Sequence, residues 1–252
     1  MNKLLLILIF AALTFASPAT AYLAYVSNEK GNTISIIDTD KLDVVATIKV
    51  GRRPRGVELN KDGSELYICA GDDDAIQVLD TKAQKIIGKL PSGPDPELLT
   101  LSPDGETIYV SNENDNLVTL IDIKRKDQIG DIPVGVEPEG MAISPDGKLL
   151  VNTSETTNMA HIIDTKTKTI IANILVDNRP RFATFKHDGS ELWVSSEVGG
   201  TVSVIDPEKK TIKQKISFDI PGLSKEAIQP IGVSITRDGA HAFVALGPAN
   251  RV

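Results

Sequence analysis

One cysteine, Cys69, is all the chain contains. That excludes an internal disulfide, so stability must come from packing. It also excludes a C-x-x-C-H haem attachment and a cysteine-rich zinc site. Aromatic residues make up only 4%, which leaves Val, Ile and Leu to build the core. The three histidines, His161, His187 and His241, fall at unrelated points of the pattern described below and form no metal-ligating set. No nucleophile elbow, phosphate-binding loop or dinucleotide glycine fingerprint occurs at a strand–helix junction. Beyond the N-terminus, no apolar run approaches the roughly 20 residues of a membrane-spanning helix. Acidic residues outnumber basic ones, 34 to 27. That balance argues against nucleic acid and against an anionic membrane surface as partners.

Residues 1–21 read as a signal peptide. Lys3 supplies the positive end, Leu4 to Leu13 the apolar run, and Ala19-Thr20-Ala21 an A-x-A cleavage site before Tyr22. The expectation is export to the periplasm or beyond. Cleavage removes one lysine and no acid, leaving 26 basic against 34 acidic residues, a net charge of −8.

From there the chain repeats. An Asp closes a strand at Asp38, Asp80, Asp122, Asp164 and Asp206, each step being 42 residues. An Asp-Gly pair recurs at Asp62, Asp104, Asp146 and Asp188 with the same step, and at Asp238 after 50. A fixed period of this size marks a repeat architecture. Each unit reads as four short strands. The first follows a proline and alternates apolar residues, as in Val57/Leu59, Leu99/Leu101 and Met141/Ile143. The Asp-Gly turn follows, its glycine supplying the positive φ of a tight hairpin. The second strand carries Tyr25, Tyr67, Tyr109, Val151, Trp193 and Phe243 in one slot, large residues suited to packing between sheets. Cys69 takes a slot filled elsewhere by Ser or Thr and reads as a small buried strand residue. The strand-closing Asp residues read as turn caps.

Four antiparallel strands per unit of about 40–45 residues predict an all-β fold, a β-propeller of four-stranded blades. Residues 22–252 form that one domain. The register gives three strands of a first blade, four whole blades and two strands of a sixth, so the reading is of a ring truncated at its C-terminal side. In a propeller, the connection into the innermost strand and the turn between second and third strands open at one end of the channel. The residues flanking the repeated proline are therefore the candidate ligand- or partner-binding set: Arg53 and Arg55, Asp95 and Glu97, Glu137 and Glu139, Arg179 and Arg181, and Gln229. Two readings stand. The ring recognises a small polar ligand or a charged partner, or neighbouring blades pair these charges with each other. An eight-residue insertion within Asp219 to Gln229 lies at the same end, as a specificity loop or a tolerated surface loop.

Tyr25-Val26-Ser27-Asn28, Tyr109-Val110-Ser111-Asn112, Thr201 to Asp206 and the Ser-Pro-Asp-Gly turns at Ser102 and Ser144 resemble the YVTN-type β-propeller repeat. The stretch Phe218 to Val252, with Asn178 to Phe182, is similar to the exported β-propeller proteins associated with PQQ-dependent catabolism. That resemblance implies about seven blades in the complete protein and no established reaction. It implies an exported, non-catalytic binding or scaffold protein, accessory to periplasmic alcohol oxidation. Its partner would be a quinoprotein dehydrogenase or a cytochrome. The repeated Trp-docking motifs of the dehydrogenases are absent, so the chain should not itself be one, and no cofactor is assigned. The alternative is a metal-dependent, lactonase-like hydrolase with its site at the channel mouth, for which Glu97, Glu139, Asn112 and Asn158 are the first residues to test.

Overall fold

The computed structural model describes residues 22–252, so the signal peptide assigned to 1–21 lies outside the described residues. Six antiparallel sheets follow one another along the chain, with three, four, four, four, four and two strands. The strand count of each sheet is the one the 42-residue register predicts. Within the second sheet the strands are Pro54–Leu59, Glu65–Ala70, Ala75–Asp80 and Lys85–Pro91, paired in that order. The Asp-Gly hairpins form where the sequence places them, and their glycines, Gly63 to Gly239, have φ between 68° and 76°. Each strand-closing Asp caps its turn. Asp80 Oδ1, for example, accepts from the amides of Lys82 at 2.9 Å and Ala83 at 2.7 Å.

The innermost strands are Pro54–Leu59, Pro96–Leu101, Pro138–Ile143, Pro180–Phe185 and Pro230–Ile235. Each begins at the repeated proline, two residues earlier than the apolar alternation indicates. A β-bulge just after every proline accounts for the difference. The extra residue breaks the period of two, and it re-aims the residue beside the proline. Each innermost strand lies against the next one in the series, so the sheets succeed one another around a common axis.

The core is a set of slabs between neighbouring sheets. Tyr67, Ile76 and Leu90 of the second sheet meet Leu99, Ile108 and Ile121 of the third. Similar slabs lie between the first and second, third and fourth, and fourth and fifth sheets. Each fully buried Val, Leu or Ile contributes about 1.5–3 kcal/mol, which offsets the scarcity of aromatics. Cys69 is fully buried in the second sheet, and burial pushes its thiol up. The aromatic slot behaves as expected at Tyr67 and Tyr109 but not at Phe243, which is 55% exposed on the two-stranded last sheet.

Packing at the axis alternates in size. The column reads Gly56, Leu98, Gly140, Phe182, Gly232. A Cβ on Gly56 would lie 2.8 Å from the Glu97 carbonyl oxygen and 2.9 Å from Leu98 Cα. One on Gly140 would lie 3.1 Å from Phe182 Cα. Small and large residues thus interlock around the channel.

Candidate functional site

The turn between second and third strands places Asn32, Asp74, Asn116 and Asn158 in the left-handed region, with φ between 49° and 60°. Asn and Asp tolerate that region better than most residues. Each side chain reaches into the connection to the next sheet. Asn32 Oδ1 accepts from Arg53 N at 2.9 Å, Asp74 Oδ1 from Asp95 N at 3.0 Å, Asn116 Oδ1 from Glu137 N at 3.2 Å, and Asn158 Oδ1 from Arg179 N at 3.0 Å. The residues so held precede the proline and have φ of 51° to 58° themselves. Residues before proline seldom adopt a positive φ, and the side-chain bond from the preceding sheet holds them there. At the fifth sheet the column carries Gly200, which has no side chain to make this bond, and the insertion begins downstream.

These clamps set the flanking charges around one rim. Arg53 pairs with Asp95 and Glu97, and Arg55 pairs with Glu97. Arg55 Nη2 also lies 3.2 Å from Glu139 Oε1, two sheets away across the channel mouth. Arg181 Nη1 meets the same Glu139 oxygen at 2.9 Å. Arg179 Nε donates to Glu155 Oε2 at 2.8 Å, and Glu155 also takes Arg181. The ion pairs run unbroken from the first sheet to the fifth.

Of the nine predicted residues, seven converge: Arg53, Arg55, Asp95, Glu97, Glu139, Arg179 and Arg181. Two turn aside. Glu137 makes no ion pair among the described residues, and its carboxylate accepts from Thr156 Oγ1. Gln229 is held by the insertion, its Nε2 donating to the Glu226 carbonyl at 3.0 Å. The insertion is anchored through Ile228, buried against Leu246 and Ala249.

Four further carboxylates belong to the rim: Glu29, Glu113, Glu155 and Glu197. They form their own 42-residue column, one position after the second strand, and that spacing was the signal available in the sequence. The column is broken at Gly71 and, on the two-stranded last sheet, at Gly247. A Cβ on Gly71 would lie 2.6 Å from Arg53 Nη1 and 2.9 Å from Asp95 Oδ1, so the glycine makes room for the Arg53 guanidinium.

Seven carboxylates thus face four guanidinium groups, with Glu97 wholly buried and Glu139 3% exposed. Burial, then the neighbouring Glu97 carboxylate, pushes the Glu113 carboxyl up to about 7. The same two causes raise Glu139 against the pull of Arg181 and Arg55. Both shifts have the sign expected of a site with surplus negative charge. Below the rim is a cavity of about 240 Å³, lined by Arg55, Glu139 and Arg181 above and Leu98, Phe182 and Ile231 below.

Of the residues named for hydrolysis, Glu97, Glu139 and Asn158 are already engaged, while Asn112 keeps a buried Oδ1 without a hydrogen-bond partner. Asp95, Glu97 and Glu113 bring carboxylate oxygens within 4.8 Å of one another, but Arg53 stands among them. Asn158 is a clamp, and Asn112 is buried with its Nδ2 donating to Ser92 Oγ at 2.8 Å. His161 is a strand residue whose Nε2 accepts from Gly135 N at 3.1 Å while its Nδ1 faces Asn173 Oδ1 at 2.6 Å. Burial lowers its pKa, consistent with a neutral structural histidine. His187 lines a cavity at the opposite end of the channel.

No family model and no curated protein matches the chain. Among solved structures it is similar to a chain of Kuenenia stuttgartiensis hydrazine synthase, with a TM-score of 0.79 and 22% identity over 89% of this chain and 70% of that one. At that identity the likeness speaks to fold alone, and the fold it supports is β-propeller-like.

Proposed function

We propose that this chain is an exported, non-catalytic β-propeller module that binds a partner through its charged rim. The blades are of the YVTN type, with about seven in the complete protein. The module serves periplasmic PQQ-dependent alcohol oxidation, and its partner is a quinoprotein dehydrogenase or a cytochrome. The observation that carries this reading is the charge balance of the rim, seven carboxylates around four arginines. Each arginine is ion-paired within the rim, though Arg179 stays 47% exposed, and the surplus of carboxylates leaves the rim net negative. Glu29, with a side chain 46% exposed, is its most accessible carboxylate, and the half-buried Glu137 lies beside the ion-paired set. A basic surface on a partner complements such a patch, and complementarity of this kind acts mainly on the rate and specificity of association.

The test is capture of the full-length protein's partners from the periplasm of cells growing on an alcohol. A dehydrogenase or cytochrome should be retained, with affinity falling on the order of tenfold when salt rises from about 0.05 to 0.3 M. Glu137→Gln should weaken capture and leave the thermal midpoint unchanged, because its carboxylate makes no ion pair among the described residues. Glu29→Gln should weaken capture further at a small cost in stability, because Glu29 also pairs with Arg53 and Arg55. Failure to retain either redox protein, or retention indifferent to salt, would sink the proposal.

A further inference from the structure

The opposite end of the channel carries a larger cavity, of about 410 Å³, which falls in the size range of small-molecule sites. The first four of the five innermost strands build it. Leu99, Met141, Ile143, Phe182 and Phe185 supply most of the wall. Leu98 and Phe182 also line the rim cavity, so these two side chains separate the ends of the channel.

One carboxyl interrupts that apolar wall. Glu58 occupies the position that Thr100, Ala142 and Thr184 hold in the next three sheets. Its Oε1 faces the Leu101 amide at 3.4 Å, a long contact. No arginine or lysine ion-pairs with it among the described residues. The other titratable groups on the cavity are Lys186 and His187. Lys186 leans toward the turn at Gly239 and lies 4.0 Å from Asp188, and His187 is exposed. Tyr67, directly across the strand pair from Glu58, gives its hydroxyl to Glu65 at 2.8 Å. Glu58 is thus a carboxyl in a largely apolar recess, met by the Leu101 amide and the Thr100 hydroxyl but ion-paired with no counter-charge among the described residues.

We propose that this cavity binds a small hydrophobic cation, an aryl- or alkylammonium, with its ammonium on Glu58 and its apolar body against Met141, Phe182 and Phe185. The apolar wall covers the ligand's body and strengthens the charge pair by lowering the local dielectric. Burial pushes the empty site's Glu58 carboxyl up to about 7. An arriving ammonium stabilises the ionised form, so binding strengthens as pH rises through that value. The site lies at the other end of the channel from the rim and does not depend on the rim's role.

Ligand-observed NMR titrations of the full chain with benzylammonium and benzyl alcohol test the assignment. At pH 8 the amine should bind at least about tenfold more tightly than the alcohol. At pH 6 that advantage should shrink by about tenfold, because a carboxyl titrating near 7 is then about nine-tenths protonated. Glu58→Gln should abolish the advantage while leaving the weak binding of the alcohol. Equal affinities for the two compounds at pH 8, no binding of either, or an amine preference indifferent to pH would overturn the proposal. The pH and amine–alcohol comparisons decide the matter even if Glu58→Gln fails to fold.

Discussion

Replacing Glu97 by alanine is expected to lower the unfolding free energy by about 3–5 kcal/mol, the cost of stranding one side of a buried ion pair. Glu97 has no exposed surface, and its two oxygens serve Arg53 and Arg55. Those arginine side chains are only 26% and 17% exposed, so water cannot replace the lost carboxylate fully. Without it, the two guanidinium groups flanking Pro54 lose the carboxylate they share and are left to Asp95, Glu139 and the partly exposed Glu29 and Glu113. Urea denaturation at constant m reads the effect directly. The control is Glu137→Ala, on the same rim but bonded to Thr156 Oγ1 instead of to an arginine. It should shift stability by no more than about 0.5 kcal/mol. Equal losses from the two substitutions would mean that the Glu97 pairs contribute nothing beyond an ordinary surface contact.

Gly56→Ala should cost about 3 kcal/mol, at the upper end of what overpacking usually does. The added carbon would meet backbone, not a mobile side chain: the Glu97 carbonyl oxygen at 2.8 Å and Leu98 Cα at 2.9 Å. Relief requires the second and third sheets to move apart. That movement opens the slab containing Tyr67 and Leu99 and pulls Glu97 away from the arginines. Gly88→Ala provides the contrast, because nothing lies within 4 Å of a Cβ there. It should be neutral or slightly stabilising, since alanine restricts the unfolded chain more than glycine does. Thermal midpoints of the two variants separate a steric cost from a general intolerance of glycine replacement. A Gly56→Ala protein as stable as Gly88→Ala would show that the innermost strands are not in close contact.

The sheets, their hairpins and their strand counts were legible because each depends on short-range chemistry repeated at one spacing. Proline opens the innermost strand, Asp-Gly makes the hairpin, and Asn takes the left-handed turn. The same spacing pointed to nine residues, of which the structure brings seven together in one ion-paired set. It missed Glu29, Glu113, Glu155 and Glu197 because a column after a strand reads as turn polarity until the next sheet's arginine is seen beside it. The contact between Arg55 and Glu139 was not legible at all. It depends on how sharply three successive sheets curve, and no local pattern encodes that angle. Glu137 was misplaced for a related reason. Its neighbour Thr156 comes from the turn of its own sheet, whereas Arg53, Asp95 and Arg179 meet charges of the opposite sign. The alternation of glycine with Leu98 and Phe182 was present in the sequence. Its meaning appeared only once the innermost strands were seen to touch.

A double-mutant cycle on Arg55→Met and Glu139→Gln tests most directly whether these loops share one rim. The two residues are separated by 84 positions and belong to sheets that are not neighbours, yet their side chains lie 3.2 Å apart. The cycle should return a coupling free energy of at least about 1 kcal/mol, as for charge pairs in contact. Additive effects, within about 0.3 kcal/mol, would contradict the convergence of the proline-flanked segments on a common mouth.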